Sequence, residues 1–370
     1  MSGIGPAPRH CRVLLVLLGL ALLPGPVGSL SGRSPPVPAA DHAVILLYHH
    51  VADDTPAATS VRPDRFAEHL AWLADNGYRV LALDDLLERL QAGSPVPDRS
   101  VAITFDDAWV SVHDVAAPML AERGWPFTVF VNTGAVDAGQ GPVMTWDQLR
   151  ALAPLGGAIG SHSASHDHLP ARRAGESPDA WRSRIDADLA RALARIEQEI
   201  GQASRAFAYP YGEDSAALAE RVAQVHAFGL VQRSGAVGPG SDFRALPRFP
   251  LAVGFDGLDR LERAVRSRPL PVREARATPS DDGIRDHALD HLTLVLGPGD
   301  YRADALACYS AGGDSLDLQR PMDAEERIVR ITLRGLDRPG RNKINCTAPA
   351  ADGSGDWYWY SYQWLRPPLE

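Results

Sequence analysis

Asp106 and Asp107 stand side by side in "ITFDDAW" (103–109), where a short apolar run ends. Adjacent carboxylates repel, and beside a strand entering a buried site that repulsion is costly unless a cation offsets it. Further along, "GSHSASHDHL" carries His162 and His166 in a His-x-x-x-His spacing. One carboxylate and two imidazoles make a three-ligand set with positions left for water and substrate, as in catalytic zinc sites. Asp107 would supply the oxygen ligand, with His162 and His166 on one face if their segment is helical. Asp106 would stay off the metal and act as base toward water. Zinc is the expected ion, with cobalt, nickel or iron compatible, because a His2Asp set discriminates poorly among them. His168 is read as a bystander or as support for a ligand.

These residues need elements to bring them together. From residue 44 the chain alternates β-rich runs with amphipathic helical stretches. The runs are "VILLYH" (44–49), "YRVL" (78–81), "VAITF" (101–105), "FTVFV" (127–131), "GAIG" (157–160), "RAFAY" (205–209) and "FGLV" (228–231). Helical patterns such as "PDRFAEHLAWLADNG" and "DLARALARIEQEIG" lie between them. The alternation predicts an α/β fold with a parallel sheet, open or closed as a barrel. The Asp pair follows the third run, the His pair the fifth, "YPYG" (209–212) the sixth, and His49 and His50 end the first. Sites of such folds lie at the carboxyl ends of the strands. Taken singly, the Asp pair reads as a solvated turn, the His pair as a surface helix and "YPYG" as a turn. Their shared edge favours one site.

"TFDD", the histidine pair 56 residues on, and "FAYPYG" together resemble the carbohydrate esterase family 4 polysaccharide deacetylases, the NodB-homology fold. The resemblance covers roughly residues 42–265. It implies a distorted (β/α)7 barrel that hydrolyses acetamides on N-acetylated sugars. It makes Asp106 the general base, Asp107, His162 and His166 the metal ligands, and the Tyr211 backbone N–H a binder of the oxyanion. The family's arginine in its third motif, which orients the base, is replaced by Ala208, and Arg205 comes three residues early. The family's D-x-x-x-W is missing as well. The early "YHHV" resembles the permuted subgroup of poly-β-1,6-N-acetylglucosamine deacetylases, in which an N-terminal Tyr-His carries the acid. That makes His49 the acid, ahead of His50 and of His291 in "LDH".

The chain is 370 residues with a formal net charge of −9. Arg9 and Arg12 precede the apolar "VLLVLLGLALL" (13–23) and a Pro/Gly/Ser-rich stretch, so residues 1–29 read as a secretory signal. An uncleaved anchor is the alternative; no transmembrane span is expected in the mature chain. Cleavage would remove two arginines and no acid, moving the charge to −11, which argues against nucleic acid as a partner. Export to the periplasm or the extracellular space would leave Cys308 and Cys346 as a pair able to form a disulfide. Proline and charge over 266–284 predict a linker, followed by a small all-β domain over 285–370, possibly carbohydrate-binding. In its "WYWYSYQW" (357–364), alternation puts Tyr358, Tyr360, Tyr362 and Trp364 on one face. Truncation at the linker is expected to leave the barrel's chemistry intact. The expected partner is an N-acetylated polysaccharide. Alternatives are a peptidoglycan or chitin deacetylase, an O-acetyl xylan esterase, and a non-catalytic glycan binder.

Overall fold

Runs that are apolar at nearly every position suit strands covered on both faces, as in parallel sheets. Val44–Tyr48 (β1) and Ser100–Phe105 (β3) are buried at every residue. In the structure, a computed structural model that describes residues 39–279, 284, 287–320 and 327–368 besides Gly3 and Gly5, each of the seven expected runs contains a strand. Arg79–Val80 (β2), Phe127–Val131 (β4), Gly157–Ser161 (β5), Ala206–Ala208 (β6), Phe228–Leu230 (β7) and an additional Phe249–Pro250 (β8) complete the set. They form one parallel sheet in the order β7-β6-β5-β4-β3-β1-β8, with β2 on β3. Between β7 and β8 the chain runs back beside itself: Val231 N–H donates to the Leu246 carbonyl at 2.9 Å, and Arg248 N–H to that of Arg233 at 3.0 Å. The sheet thereby curls into the distorted barrel expected from the sequence. The signal segment expected over 1–29 lies, those two glycines apart, outside the described residues.

Helices clothe this sheet through one apolar stripe each. Pro63–Asp75 (α1) starts on a proline and buries Phe66, Leu70 and Leu73. Pro178–Ile200 (α2) is capped by Ser177, buries Trp181, Ile185, Leu189 and Ile196, and stops at Gly201, whose φ of 87° suits a glycine C-cap.

The linker expected over 266–284 is, in its described part, mostly strand: Ser267–Pro269 (β9) and Val272–Thr278 (β10). Both lie at sheet edges, where a proline costs no ladder bond and outward charges blunt the edge. The composition that reads as a linker is that of edge strands. With His291–Leu296 (β11), Ala307–Ser310 (β12), Leu318–Gln319 (β13), Arg327–Thr332 (β14), Gly340–Pro349 (β15) and Trp357–Arg366 (β16) they build two four-stranded sheets, β9-β16-β15-β12 and β10-β11-β14-β13. Leu292, Leu294, Ile331, Ile344 and Trp364 pack in their common core. Cys308 and Cys346 sit opposite each other on β12 and β15 and are disulfide-bonded. Tyr358, Tyr360, Tyr362 and Trp364 share a face and pack against that core, so this aromatic row is packing surface. The alternate residues of β16 meet the barrel: Trp359 stands edge-on to Phe249 at 5.2 Å.

Candidate active site

The end of β3 turns sharply. Asp106 N–H still donates to the Tyr48 carbonyl at 3.0 Å, continuing the β1–β3 ladder. Asp107 and Ala108 then take φ values of 70° and 55°, a left-handed conformation unusual for residues with a Cβ. The turn separates the two carboxylates, so that Asp106 is fully buried while Asp107 opens toward the loop after β5.

His162 follows β5 directly and is 1% exposed. Its Nδ1 lies 2.7 Å from the Ala208 carbonyl, which only a protonated nitrogen can satisfy, so Nε2 is the atom free to bind. Nε2 lies 3.3 Å from Asp107 Oδ1, and His166 Nε2 lies 3.2 Å from the same oxygen. The three donor atoms fall within 4.8 Å of one another. The segment is not helical, and the two imidazoles converge through a turn: Ser163 and His166 have φ of 65° and 56°. Buried Asp188 of α2 pins that turn by accepting from Ala164 and Ser165 N–H at 2.9 and 3.0 Å. Burial alone would raise the Asp107 carboxyl, but hydrogen bonds from His162 and His166 hold it well below the usual carboxylate range. Burial would lower His162, yet Asp106 and Asp107 raise it. Lone pairs and carboxylates aimed at one point are held together by a shared positive charge, a proton or a metal ion. The donor set therefore fits a divalent cation.

Asp106 has a different partner. Arg248 Nη1 and Nη2 lie 2.8 and 2.7 Å from its two oxygens, with both side chains 0% exposed. The guanidinium is itself fixed by the Val231 carbonyl at 3.2 Å and Thr104 Oγ1 at 3.3 Å, and lies over the Phe130 ring. Burial opposes ionisation of Asp106, but Arg248, with His162 and His49, outweighs it and keeps its pKa low. Gln232 Nε2 adds a long contact of 3.4 Å.

His49, half-buried just past β1, is placed close enough for its charge to couple with Asp106, Asp107, Arg248 and His162. Burial pushes its pKa down, against the pull of the two aspartates. His50 is instead stacked on Trp109 at 4.2 Å, whose indole N–H donates to Asp107 at 3.2 Å. Tyr211 has φ of 57°; its ring stacks on His168 at 4.2 Å and meets His166 edge-on at 4.7 Å. His168 is in turn paired with Glu213 at 2.8 Å. His168, read as a bystander or as support for a ligand, thus contacts Tyr211 and Glu213.

Residues 93–228 match the Polysaccharide deacetylase family. Over that stretch the chain is similar to polysaccharide deacetylases. Among its relatives, a poly-β-1,6-N-acetyl-D-glucosamine N-deacetylase of Staphylococcus epidermidis is 26% identical over 209 residues, covering 55% of this chain and 71% of that one. The enzyme of the same name from Escherichia coli K12 is 25% identical over 244 residues, 56% of this chain but only 36% of that longer protein. Among solved structures, IcaB from Ammonifex degensii superposes with a TM-score of 0.53 at 26% identity, over 61% of this chain and 97% of that one.

Two residues of this candidate site, His49 and Arg248, lie outside the family match. His49 is legible from "YHHV". Arg248 is not singled out by any motif, although a lone arginine in the apolar "LPRFPL" (246–251) is a signal that a buried partner exists. Arg205, the nearer candidate in sequence, faces Glu88 at 2.5 Å and the Phe228 ring at the opposite end of β6. His291 begins β11 in the C-terminal sheet, in register with Thr278 and Thr332.

Proposed function

We propose that this chain is an exported, cation-dependent N-deacetylase of polysaccharides containing N-acetylglucosamine, releasing acetate and leaving free amines. The observation that carries the proposal is the division of the aspartate pair: Asp106 ionised by a buried arginine, Asp107 grouped with two imidazoles. Asp107, His162 and His166 would hold the cation, zinc by the chemistry of the set. Such an ion supplies Lewis acidity toward the amide carbonyl and toward water.

The protein's own groups do the remaining work. Asp106 takes the proton of the attacking water, and Arg248 keeps that carboxylate ionised and aimed. The Tyr211 N–H donates to the oxygen that becomes negative as the acetyl carbon turns tetrahedral. His49 delivers a proton to the nitrogen, which must be protonated before the C–N bond breaks. An unoriented Asp106 would favour a non-catalytic glycan binder; the paired contact of Arg248 with Asp106 supports the catalytic reading. Export is supported by the signal-like N-terminus and by the Cys308–Cys346 bond, which suits an oxidising compartment. Among the described residues no helix is long and apolar enough to cross a membrane.

The test is acetate release from defined β-1,6- and β-1,4-linked N-acetylglucosamine oligomers and from acetylated xylan, before and after chelation and zinc repletion. Chelator-sensitive release from a glucosamine oligomer is expected. Release from xylan alone, or from none, would overturn the reading.

A further inference from the structure

The loop that presents Tyr211 is strained and is gripped from outside the barrel. Tyr211 and Gly212 are both left-handed, with φ of 57° and 67°. At 212 only glycine fits, because a Cβ would come within 2.5 Å of the Gln232 backbone nitrogen. A non-glycine residue in this conformation costs on the order of 1–3 kcal/mol and persists only where its surroundings over-determine it. Here the surroundings are two C-terminal strands. Arg341 on β15 donates from Nη1 to the Tyr211 carbonyl. Gln363 on β16, itself buried, donates from Nε2 to the next carbonyl, Gly212, at 2.7 Å and to Asp214 Oδ1 at 3.1 Å. Asp214 is also held by Arg233 at 3.0 Å. Two residues before Gln363 on β16, Ser361 donates to the Ser234 carbonyl. Arg341 also reaches Gln232 Oε1 at 3.5 Å, and the same Gln232 touches Asp106. Barrel and C-terminal sheet thus meet through polar contacts to backbone carbonyls, and loss of Gln363 would leave the Gly212 carbonyl buried and unpaired.

We propose that Arg341 and Gln363 are positioning residues of the deacetylation: by holding the Tyr211 and Gly212 carbonyls they fix the two peptides that follow the Tyr211 N–H, and with them the left-handed turn that aims that N–H at the oxyanion. This rests on the role given to Tyr211 above. It makes the C-terminal strands part of the catalytic centre, and it reverses the expectation that truncation before them leaves the barrel's chemistry intact. Both residues act through the loop and touch no reacting atom.

The experiment uses the full-length, zinc-loaded protein and a short soluble N-acetylglucosamine oligomer, with Gln363→Ala, Gln363→Glu, Arg341→Met and Arg341→Lys. Misplacing an oxyanion donor lowers turnover more than binding, so kcat should fall roughly 10–100-fold in Gln363→Ala and Arg341→Met, with KM and zinc content unchanged. Arg341→Lys keeps a donor and should recover part of the loss. Gln363→Glu, nearly isosteric, sets a carboxylate against a carbonyl and Asp214 and should fail like the alanine variant. Amide hydrogen exchange over 209–214 should quicken in Gln363→Ala and Arg341→Met while exchange over 101–105 stays the same. Wild-type kcat with unchanged exchange, or a rise in KM alone, overturns the proposal. A wild-type protein inactive on every acetylated sugar overturns the functional reading instead, and the exchange difference then decides whether the strands hold the loop.

Discussion

Arg248 meets Asp106 through two parallel hydrogen bonds of 2.8 and 2.7 Å, and neither side chain is reached by solvent. The pair is separated by 142 residues and joins the end of β3 to the segment entering β8. A buried carboxylate without such a partner would take up a proton and cease to be a base.

The consequence can be read in the pH dependence of turnover. In Arg248→Met, burial acts on Asp106 with its main opposing charge removed, so the carboxyl pKa rises. The acid limb of the rate profile should then move to higher pH, and turnover near neutrality should fall by about 10²–10⁴-fold. Arg248→Lys should recover little, because an ammonium cannot make the bidentate contact. An unmoved acid limb would mean that Asp106 is not the base.

The cation set and the base should separate cleanly by metal analysis. His162→Ala removes one of three ligands and should lose most of the bound metal. Asp106→Asn keeps the ligands, so it should retain metal while losing activity. Full occupancy in His162→Ala would sink the ligand assignment.

How much of this was legible in the sequence follows from the range of the interactions involved. β1, β3 and β4 are readable because burial on both faces makes nearly every residue apolar. Asp106, Asp107, His162 and His166 are readable because each lies within a few residues of a strand end, so the topology gathers them. Arg248 is not, since its role exists only once β8 closes against β1. Neither is the clamp on Tyr211, which depends on how β15 and β16 dock. The edge strands β9 and β10 were obscured because proline and charge, tolerated at an edge, also mark linkers.

His226 should govern part of the acid lability. It is buried beside Phe207, its Nε2 has no hydrogen-bond partner among the described residues, and burial pushes its pKa down to about 4. An unfolded histidine takes up its proton near pH 6.5, so between there and about 4 the unfolded chain binds a proton that the folded one refuses. Stability is therefore lost as pH falls through that window, by at most about 3 kcal/mol from this residue. His226→Phe removes the titration and should flatten the fall in Tm from pH 7 to 4. Parallel Tm curves for the two proteins would assign the lability to other groups.

The last test concerns the acid. His49 lies where its charge couples to both aspartates and to His162, whereas His50 is committed to stacking on Trp109 and His291 to a strand of the C-terminal sheet. Burial lowers the His49 pKa, which makes its protonated form a stronger donor toward the amine. Loss of that donor should slow C–N cleavage by about 10²–10⁴-fold without disturbing the cation ligands. His49→Ala should therefore be nearly inactive on a short soluble oligomer at full metal loading. His291→Ala should turn over like wild type, and His50→Ala should show an intermediate loss, because Trp109, which donates to Asp107, loses its stacking partner. A substrate analogue with a leaving group that needs no proton should narrow the gap between His49→Ala and wild type, while leaving Asp106→Asn inactive. If His49→Ala turns over normally and His291→Ala does not, the acid comes from the C-terminal sheet and the assignment of His49 fails.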